Sequence, residues 1–137
     1  LSKTKATLAK VDEIGIGRGL VDRAKEQGLP VEGVNVGREP KNKEAFTNIR
    51  AEGYWGLRER FQDGQIDIDP SDDDLAAQLV DLKFKRSSSG KILIESKDEI
   101  KRRGKGSPDE ADAVMLAFLP SNMYGVQPVR TVPFTLG

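Results

Sequence analysis

The chain has 137 residues, enough for one domain with a hydrophobic core. Its 22 basic and 22 acidic residues cancel, so the net charge indicates no partner, and any site for a metal or nucleic acid must be local. Because the chain has no cysteine and no histidine, disulfides, thiolate or imidazole metal ligands and a histidine general base are excluded. If the chain is catalytic, its catalytic groups must therefore be carboxylates, lysines and bound cations.

No apolar run approaches the roughly 20 residues that a membrane-spanning helix needs. We also find no signal peptide, and so we expect an intracellular protein.

The first quarter of the chain predicts a strand, a helix and a second strand. Residues 1–10 are basic and contain alanine and leucine, which is typical of the end of a helix. A strand is expected to end at Asp12 and to run into a turn with three glycines. The next helix is predicted over residues 20–27 and ends at Gly28. The alternating, β-branched residues 31–36 predict the following strand.

The middle of the chain predicts its longest helix, over residues 42–62, because apolar side chains recur there at intervals of three and four. Its aromatic residues lie at helical spacing, which is typical of a core rather than of platforms for stacked bases. A short strand is predicted over 65–69, and Ser71 is expected to cap the helix that follows. Residues 83–86 and 91–95 predict two strands joined by a serine-rich turn.

The last third predicts a short basic helix over 97–103 and a final helix that opens at Ser107 and Pro108, as N-cap and first helical residue. From Pro120 onward no periodicity is present. We therefore expect one α/β domain over residues 1–119, followed by a tail or arm over 120–137.

Two aspartates near the start of the final helix are candidate metal ligands. Asp109 and Asp112 are three residues apart and share one face of the first helical turn. For Asp109, stabilisation of the helix dipole is a sufficient explanation. Asp112 precedes the apolar part of the helix, where a half-buried carboxylate needs a partner, and a metal ion is one candidate.

Asp12 is the third candidate, because sites in open α/β sheets form at the carboxyl ends of strands. The glycines that follow it allow a tight turn and the close approach of a ligand. Their spacing is not that of a dinucleotide-binding fingerprint, and the chain has no P-loop.

A basic run leads into the final helix, with five cations within nine residues. A solvated helix face would have the same composition, but its position next to the candidate acids favours contacts with phosphates. These candidate nucleic-acid-binding residues are Lys97, Lys101, Arg102, Arg103 and Lys105.

Several short strings in this chain occur together in a known family. They are residues 12–23 (DEIGIGRGLVDR), 33–37 (GVNVG), 46–52 (FTNIRAE), 94–97 (IESK) and 107–113 (SPDEADA). In this order they resemble the C-terminal nuclease domain of tailed-bacteriophage terminase large subunits. The resemblance extends from about Asp12 to Leu119.

The resemblance implies an RNase H-like α/β fold, a mixed sheet flanked by helices, and cleavage of double-stranded DNA during genome packaging. It implies two bound Mg²⁺ or Mn²⁺ ions, with Asp12 as the second and Asp112 as the third of three catalytic acids. Asp109 is the less favoured substitute for Asp112. Arg50 and Glu52 match a family motif, and we assign them to packing or to an internal ion pair.

The chain also departs from the family pattern. The first catalytic acid of the family lies on an earlier strand, and we expect that strand, the sheet's other N-terminal strands and the ATPase motor to be missing here. Glu13 is a poor replacement, because its side chain should point away from that of Asp12 along a strand. The implied partners are the motor domain, the small terminase subunit and the portal, in the cytoplasm of a bacterial host of a phage or prophage.

Two other functions fit the same residues. The first alternative is a non-catalytic fragment of the packaging motor that binds DNA or the portal. The second is a resolvase-like enzyme on the same fold.

Overall fold

In the computed structural model, residues 7–14 and 16–120 are described, and they form two compact units. The first unit includes the chain up to Asn35, and the second is Val36–Leu119. The predicted helical end over residues 1–10 and the predicted tail over 120–137 lie mostly outside the described residues. No helix among the described residues is long and apolar enough to cross a membrane.

The first unit is a strand–helix–strand unit. It consists of β1 (Ala9–Asp12), α1 (Ile16–Glu26) and β2 (Val31–Val34). The two strands are parallel, and their register pairs Ala9 with Val31 and Asp12 with Val34. Val21 and Ala24 of α1 pack on Val31, with Val11 beside them. The predicted order of elements is confirmed, although α1 begins four residues earlier than predicted and residues 9 and 10 belong to a strand.

The second unit places helices around an antiparallel hairpin. Two helices come first, α2 (Ile49–Gln62) and α3 (Asp73–Asp81). The hairpin follows as β3 (Phe84–Arg86) and β4 (Ile92–Ile94), with Phe84 opposite Ile94. The last helices are α4 (Lys97–Arg102) and α5 (Asp109–Phe118).

The core of the second unit lies where α2 packs on β4 and on α5, and where α3 packs on α5. Tyr54 and Leu57 of α2 and Met115 of α5 are at most 3% exposed. Trp55 packs its ring against Phe84 and Phe46, at 5.1 and 6.4 Å between centroids. The prediction that the aromatic residues serve packing is therefore confirmed for these side chains.

Gly53 allows α2 and α5 to approach closely. A Cβ at this position would lie 2.7 Å from Sδ of Met115 and 3.1 Å from Cδ2 of Leu119. Only a glycine fits between the two helices without displacing side chains of α5.

The predicted start of α2 at residue 42 is wrong. The helix begins at Ile49 because the side chain of Asn48 caps it, with Oδ1 accepting a hydrogen bond from the Ala51 amide at 2.8 Å. The residues before the cap are held in turns, where the carboxylate of Glu52 accepts from the amides of Lys41 and Asn42 at 2.9 and 2.8 Å.

Two further predictions in this region are wrong. Residues 65–69 form no strand, and the cap of α3 is Asp72 rather than Ser71. The hydroxyl of Ser71 instead donates to the carboxylate of Asp69.

The predicted cap of α5 is wrong as well. Pro108 occupies the N-cap position and has no side-chain acceptor to offer. The hydroxyl of Ser107 donates to Oδ1 of Asp109 at 2.6 Å instead of capping the helix.

Candidate metal and nucleic-acid site

Asp12 is the last residue of β1, as predicted for a site at the carboxyl end of a parallel strand. Its Oδ1 accepts a hydrogen bond from the amide of Ile14 at 3.0 Å, which holds the carboxylate at the turn. A Cβ on Gly17, in the first turn of α1, would overlap the carbonyl oxygen of Asp12, so only glycine fits at this position. Gly17 therefore allows α1 to begin close to the end of β1, whereas Gly19 has open space around it.

Glu32 is a carboxylate that the sequence analysis did not single out. It is the register partner of Lys10, and side chains two residues apart along a strand share a face, so Glu32 lies on the face of the sheet that carries Asp12. Glu32 is only 5% exposed. Burial lowers the pKa of Lys10, and the charge of Glu32 opposes this shift. The alternation of residues 31–36 was the sequence feature that could have pointed to Glu32, since it places this carboxylate on one face of a strand.

Asp112 lies in the first turn of α5, and its side chain is only 13% exposed. Its Oδ1 accepts a hydrogen bond from the hydroxyl of Tyr54 and lies 3.4 Å from Nη2 of Arg50. Its Oδ2 lies 3.1 Å from Nζ of Lys97, an ion pair without hydrogen-bond geometry. Oδ2 therefore accepts no hydrogen bond from the described residues.

Arg50 forms the internal ion pair that the sequence predicts, and its partner is Asp112. The guanidinium is buried, donates from Nη1 to the carbonyl of Glu95 at 2.6 Å, and lies 5.1 Å from the ring centre of Tyr54. Burial, and next the charge of Asp112, raise the pKa of the Tyr54 hydroxyl. Tyr54 therefore remains a hydrogen-bond donor to Asp112. Sequence reasoning placed Tyr54 in the core and missed its polar contact.

Asp109 is in a different environment. It is exposed, and its carboxylate accepts from the hydroxyl of Ser107. The two aspartates that the sequence left as alternatives therefore differ in burial: Asp112 is held by side chains from two other helices, α2 and α4, whereas Asp109 faces solvent with a local partner.

The cations of the basic run fall into two groups, those with a carboxylate partner and those without one among the described residues. Arg103 donates from Nε and Nη2 to the two oxygens of Glu95, at 2.5 and 2.8 Å, and from Nη2 to the carbonyl of Asp81 at 2.9 Å. The hydrogen bond from Arg103 lowers the pKa of the Glu95 carboxyl. Lys105 lies 3.4 Å from the carboxylate of Asp81. Lys101 and Arg102 are exposed and form no ion pair within the described part of the chain.

The residues present fit a divalent cation in part. Asp112 offers a buried carboxylate oxygen that accepts no hydrogen bond, and such an oxygen is a suitable ligand for Mg²⁺ or Mn²⁺. The described residues contain no cluster of three or more acids that would complete a ligand set. Lys97 supplies one positive charge beside Oδ2 in the present arrangement.

No protein-family model and no curated protein matches this chain. Solved structures do resemble it. The nuclease domain of the large terminase subunit gp2 of bacterial virus Sf6 aligns with a TM-score of 0.70 and 23% identity, over 84% of this chain and 66% of that one. A mutant of that domain with manganese gives the same values, and a mutant with calcium gives a TM-score of 0.65 and 22% identity.

The chain thus spans 66% of the length of those domains. The likeness confirms the predicted α/β fold class: this chain has the fold of a phage terminase nuclease domain.

Proposed function

We propose that this chain is part of a metal-dependent endonuclease of a viral DNA-packaging terminase, which hydrolyses phosphodiester bonds of double-stranded DNA. The observation that carries the proposal is the carboxylate of Asp112, buried and with one oxygen that accepts no hydrogen bond. The fold adds support, because the Sf6 domain of the same fold has been solved with manganese and with calcium.

In this proposal Asp12 and Asp112 hold the cations, Mg²⁺ or Mn²⁺, and Asp109 is the alternative to Asp112. Two such ions, when bound, activate the attacking water and stabilise the leaving 3′ oxygen. Asp12 is the last residue of β1 and lies close to Gly17 of α1, and Asp112 has contacts with α2 and α4. Each carboxylate therefore belongs to a regular element of its own unit, which favours a fixed position for that side chain within the unit.

The cations of the basic run have separate roles in this proposal. Lys101 and Arg102 are exposed on α4, and we assign them to contacts with DNA phosphates. Lys97, whose side chain is 41% exposed, lies beside Asp112 and would contact the phosphate nearest to the acids. Arg103 and Lys105 have carboxylate partners already and are less suited to phosphate contacts.

The experiment compares Asp112→Asn with Asp109→Asn in a cleavage assay with Mg²⁺ and with Mn²⁺. We expect a folded Asp112→Asn protein to lose cleavage and to keep DNA binding, because the amide keeps an acceptor for Tyr54 but loses the negative charge that would hold the cation. Asp109→Asn should cleave like the wild type. Cleavage by Asp112→Asn in Mn²⁺ would refute Asp112 as a metal ligand. Loss of cleavage in Asp109→Asn alone would identify Asp109 as the ligand instead.

One observation favours the alternative function, a non-catalytic fragment that binds DNA or the portal. The described residues contain no complete set of three acids, while Lys101 and Arg102 form an exposed basic surface. DNA binding that weakens steeply with salt, without cleavage in either metal, would favour this alternative. In either case we propose the motor domain, the small terminase subunit and the portal as partners.

A further inference from the structure

We infer that Tyr54, together with Arg50, is a positioning residue that fixes the carboxylate of Asp112 so that Oδ2 is the oxygen presented to the cation. The inference rests on the proposed function, because it assigns a role toward the metal that Asp112 would hold. It concerns two residues of α2 that are not themselves ligands.

The contacts of the two carboxylate oxygens are unequal. Tyr54 donates its hydroxyl to Oδ1, and Nη2 of Arg50 lies 3.4 Å from the same atom. Oδ2 accepts no hydrogen bond from the described residues. Rotation of the carboxylate by half a turn about its Cβ–Cγ bond would only exchange the two oxygens. A smaller rotation would lose the contacts of Oδ1 with Tyr54 and Arg50. The donors therefore hold the plane of the carboxylate, and Oδ2, which lies 3.1 Å from Nζ of Lys97, has no hydrogen bond with the described residues that a bound cation would have to break.

The donors are themselves held rigidly. Tyr54 is 3% and Arg50 is 7% exposed, and both lie on α2, four residues apart. Arg50 also donates to the carbonyl of Glu95 and packs on the ring of Tyr54. A side chain fixed by packing and by a second hydrogen bond can orient a ligand precisely.

The magnitude of such an effect is known in general. Removing a group that hydrogen-bonds to a metal ligand typically weakens metal affinity or activity by about 10- to 100-fold. We expect Tyr54→Phe, which removes one oxygen and keeps the ring under Arg50, to weaken Mn²⁺ binding by at least about tenfold.

The matched control is Ser107→Ala. It also removes one hydroxyl that donates to a carboxylate of the same helical turn, that of Asp109. The measurement is Mn²⁺ affinity of the full chain, by electron paramagnetic resonance of the free ion. Thermal unfolding without metal, measured alongside, shows that each variant is folded at the temperature of the titration. We expect the affinity of Ser107→Ala to stay within about twofold of the wild type, because Asp109 is not the preferred ligand.

The outcomes separate this inference from the proposed function. If Asp112→Asn loses Mn²⁺ binding and Tyr54→Phe, folded, binds like the wild type, the positioning role is refuted and the proposed function stands. If Asp112→Asn binds Mn²⁺ like the wild type, the proposed function is refuted. If Ser107→Ala weakens binding and Tyr54→Phe does not, Asp109 is the ligand and Tyr54 has no positioning role.

Discussion

Arg103 directs Nε and Nη2 at the two carboxylate oxygens of Glu95, at 2.5 and 2.8 Å. Glu95 is 2% exposed, so this bidentate pair neutralises a buried charge. One of the five cations that the sequence assigns to DNA phosphates therefore has an internal partner. Its neighbour Arg102 is exposed and forms no ion pair among the described residues.

Substitution of these adjacent arginines by glutamine should affect two different properties, the stability of the fold for Arg103 and DNA binding for Arg102. Arg103→Gln leaves the carboxylate of Glu95 buried without its cation, and we expect a lower thermal midpoint of unfolding. Arg102→Gln should leave the midpoint unchanged and weaken DNA binding, reducing the slope of log affinity against log salt concentration by about one. Calorimetry and binding titrations at several salt concentrations measure the two effects. A normal midpoint for Arg103→Gln, with a reduced salt slope, would show that Arg103 contacts DNA.

The carboxylate of Glu99 makes stability depend on pH. A hydrogen bond from Lys85 of the hairpin, helped by the amide of Ser96 in the capping box of α4, lowers the pKa of Glu99 from its ordinary 4.5 to about 2. Because the folded pKa is depressed, the stabilisation is complete above pH 4.5 and is lost as pH falls toward 2. Glu99→Gln keeps an acceptor for the cap and loses the charge.

The measurement for Glu99 is the difference in unfolding free energy between the wild type and Glu99→Gln as a function of pH. We expect the wild type to be more stable at neutral pH and the difference to shrink toward zero under acid. A difference that persists unchanged at the acid end would contradict the pKa shift.

Two glycines of α2 should respond oppositely to substitution by alanine. In Gly53→Ala the new methyl group would lie 2.7 Å from Sδ of Met115, and we expect a loss of about 1–3 kcal/mol because the buried Met115 side chain has to shift. Gly56→Ala meets nothing within 4 Å and should stabilise the helix by about 0.5–1 kcal/mol. Chemical denaturation of both variants tests the pair. Equal effects would show that α2 and α5 are not in close contact at Gly53.

A second glycine pair tests the turn after Asp12. Alanine at Gly17 would overlap the carbonyl oxygen of Asp12, so we expect a loss of about 1–3 kcal/mol and weaker Mn²⁺ binding. Gly19→Ala has open space and should gain up to about 1 kcal/mol with normal Mn²⁺ binding. Denaturation and Mn²⁺ titration provide the two readings. Unaltered metal affinity in a folded Gly17→Ala protein would argue against Asp12 as a ligand.

The sequence predicts much of this fold because local signals determine its elements. The β-branched alternation of residues 31–36 marks β2, and the left-handed Gly28 (φ 73°) ends α1 with Pro30 shortly after it. The prediction failed at the starts of two helices. Helix α2 begins at Ile49, after its cap Asn48, rather than at residue 42, and Asp72 rather than Ser71 caps α3. Composition alone does not decide between adjacent capping residues.

The candidate site was less predictable, because its contacts join residues distant in sequence. The position of Asp12 at a strand end follows from local pattern. The partners of Asp112 come from α2 and α4, and no spacing rule connects Tyr54 to a carboxylate 58 residues later. The pairing of Arg103 with Glu95 could not be predicted either. A basic run has the same composition whether its side chains contact DNA or a buried acid.

The contacts of Arg50 have a consequence for how the second unit folds. Its guanidinium reaches the carbonyl of Glu95, 45 residues away, and the carboxylate of Asp112, 62 residues away. Contacts between such distant residues require closure of long loops, which slows folding relative to local helix formation. The hydrogen bond of Asp112 with Tyr54 therefore forms only when α5 packs on α2. A chain synthesised only up to β4 would lack Asp112, so the contacts of this carboxylate can form only once α5 has been synthesised and packs on α2.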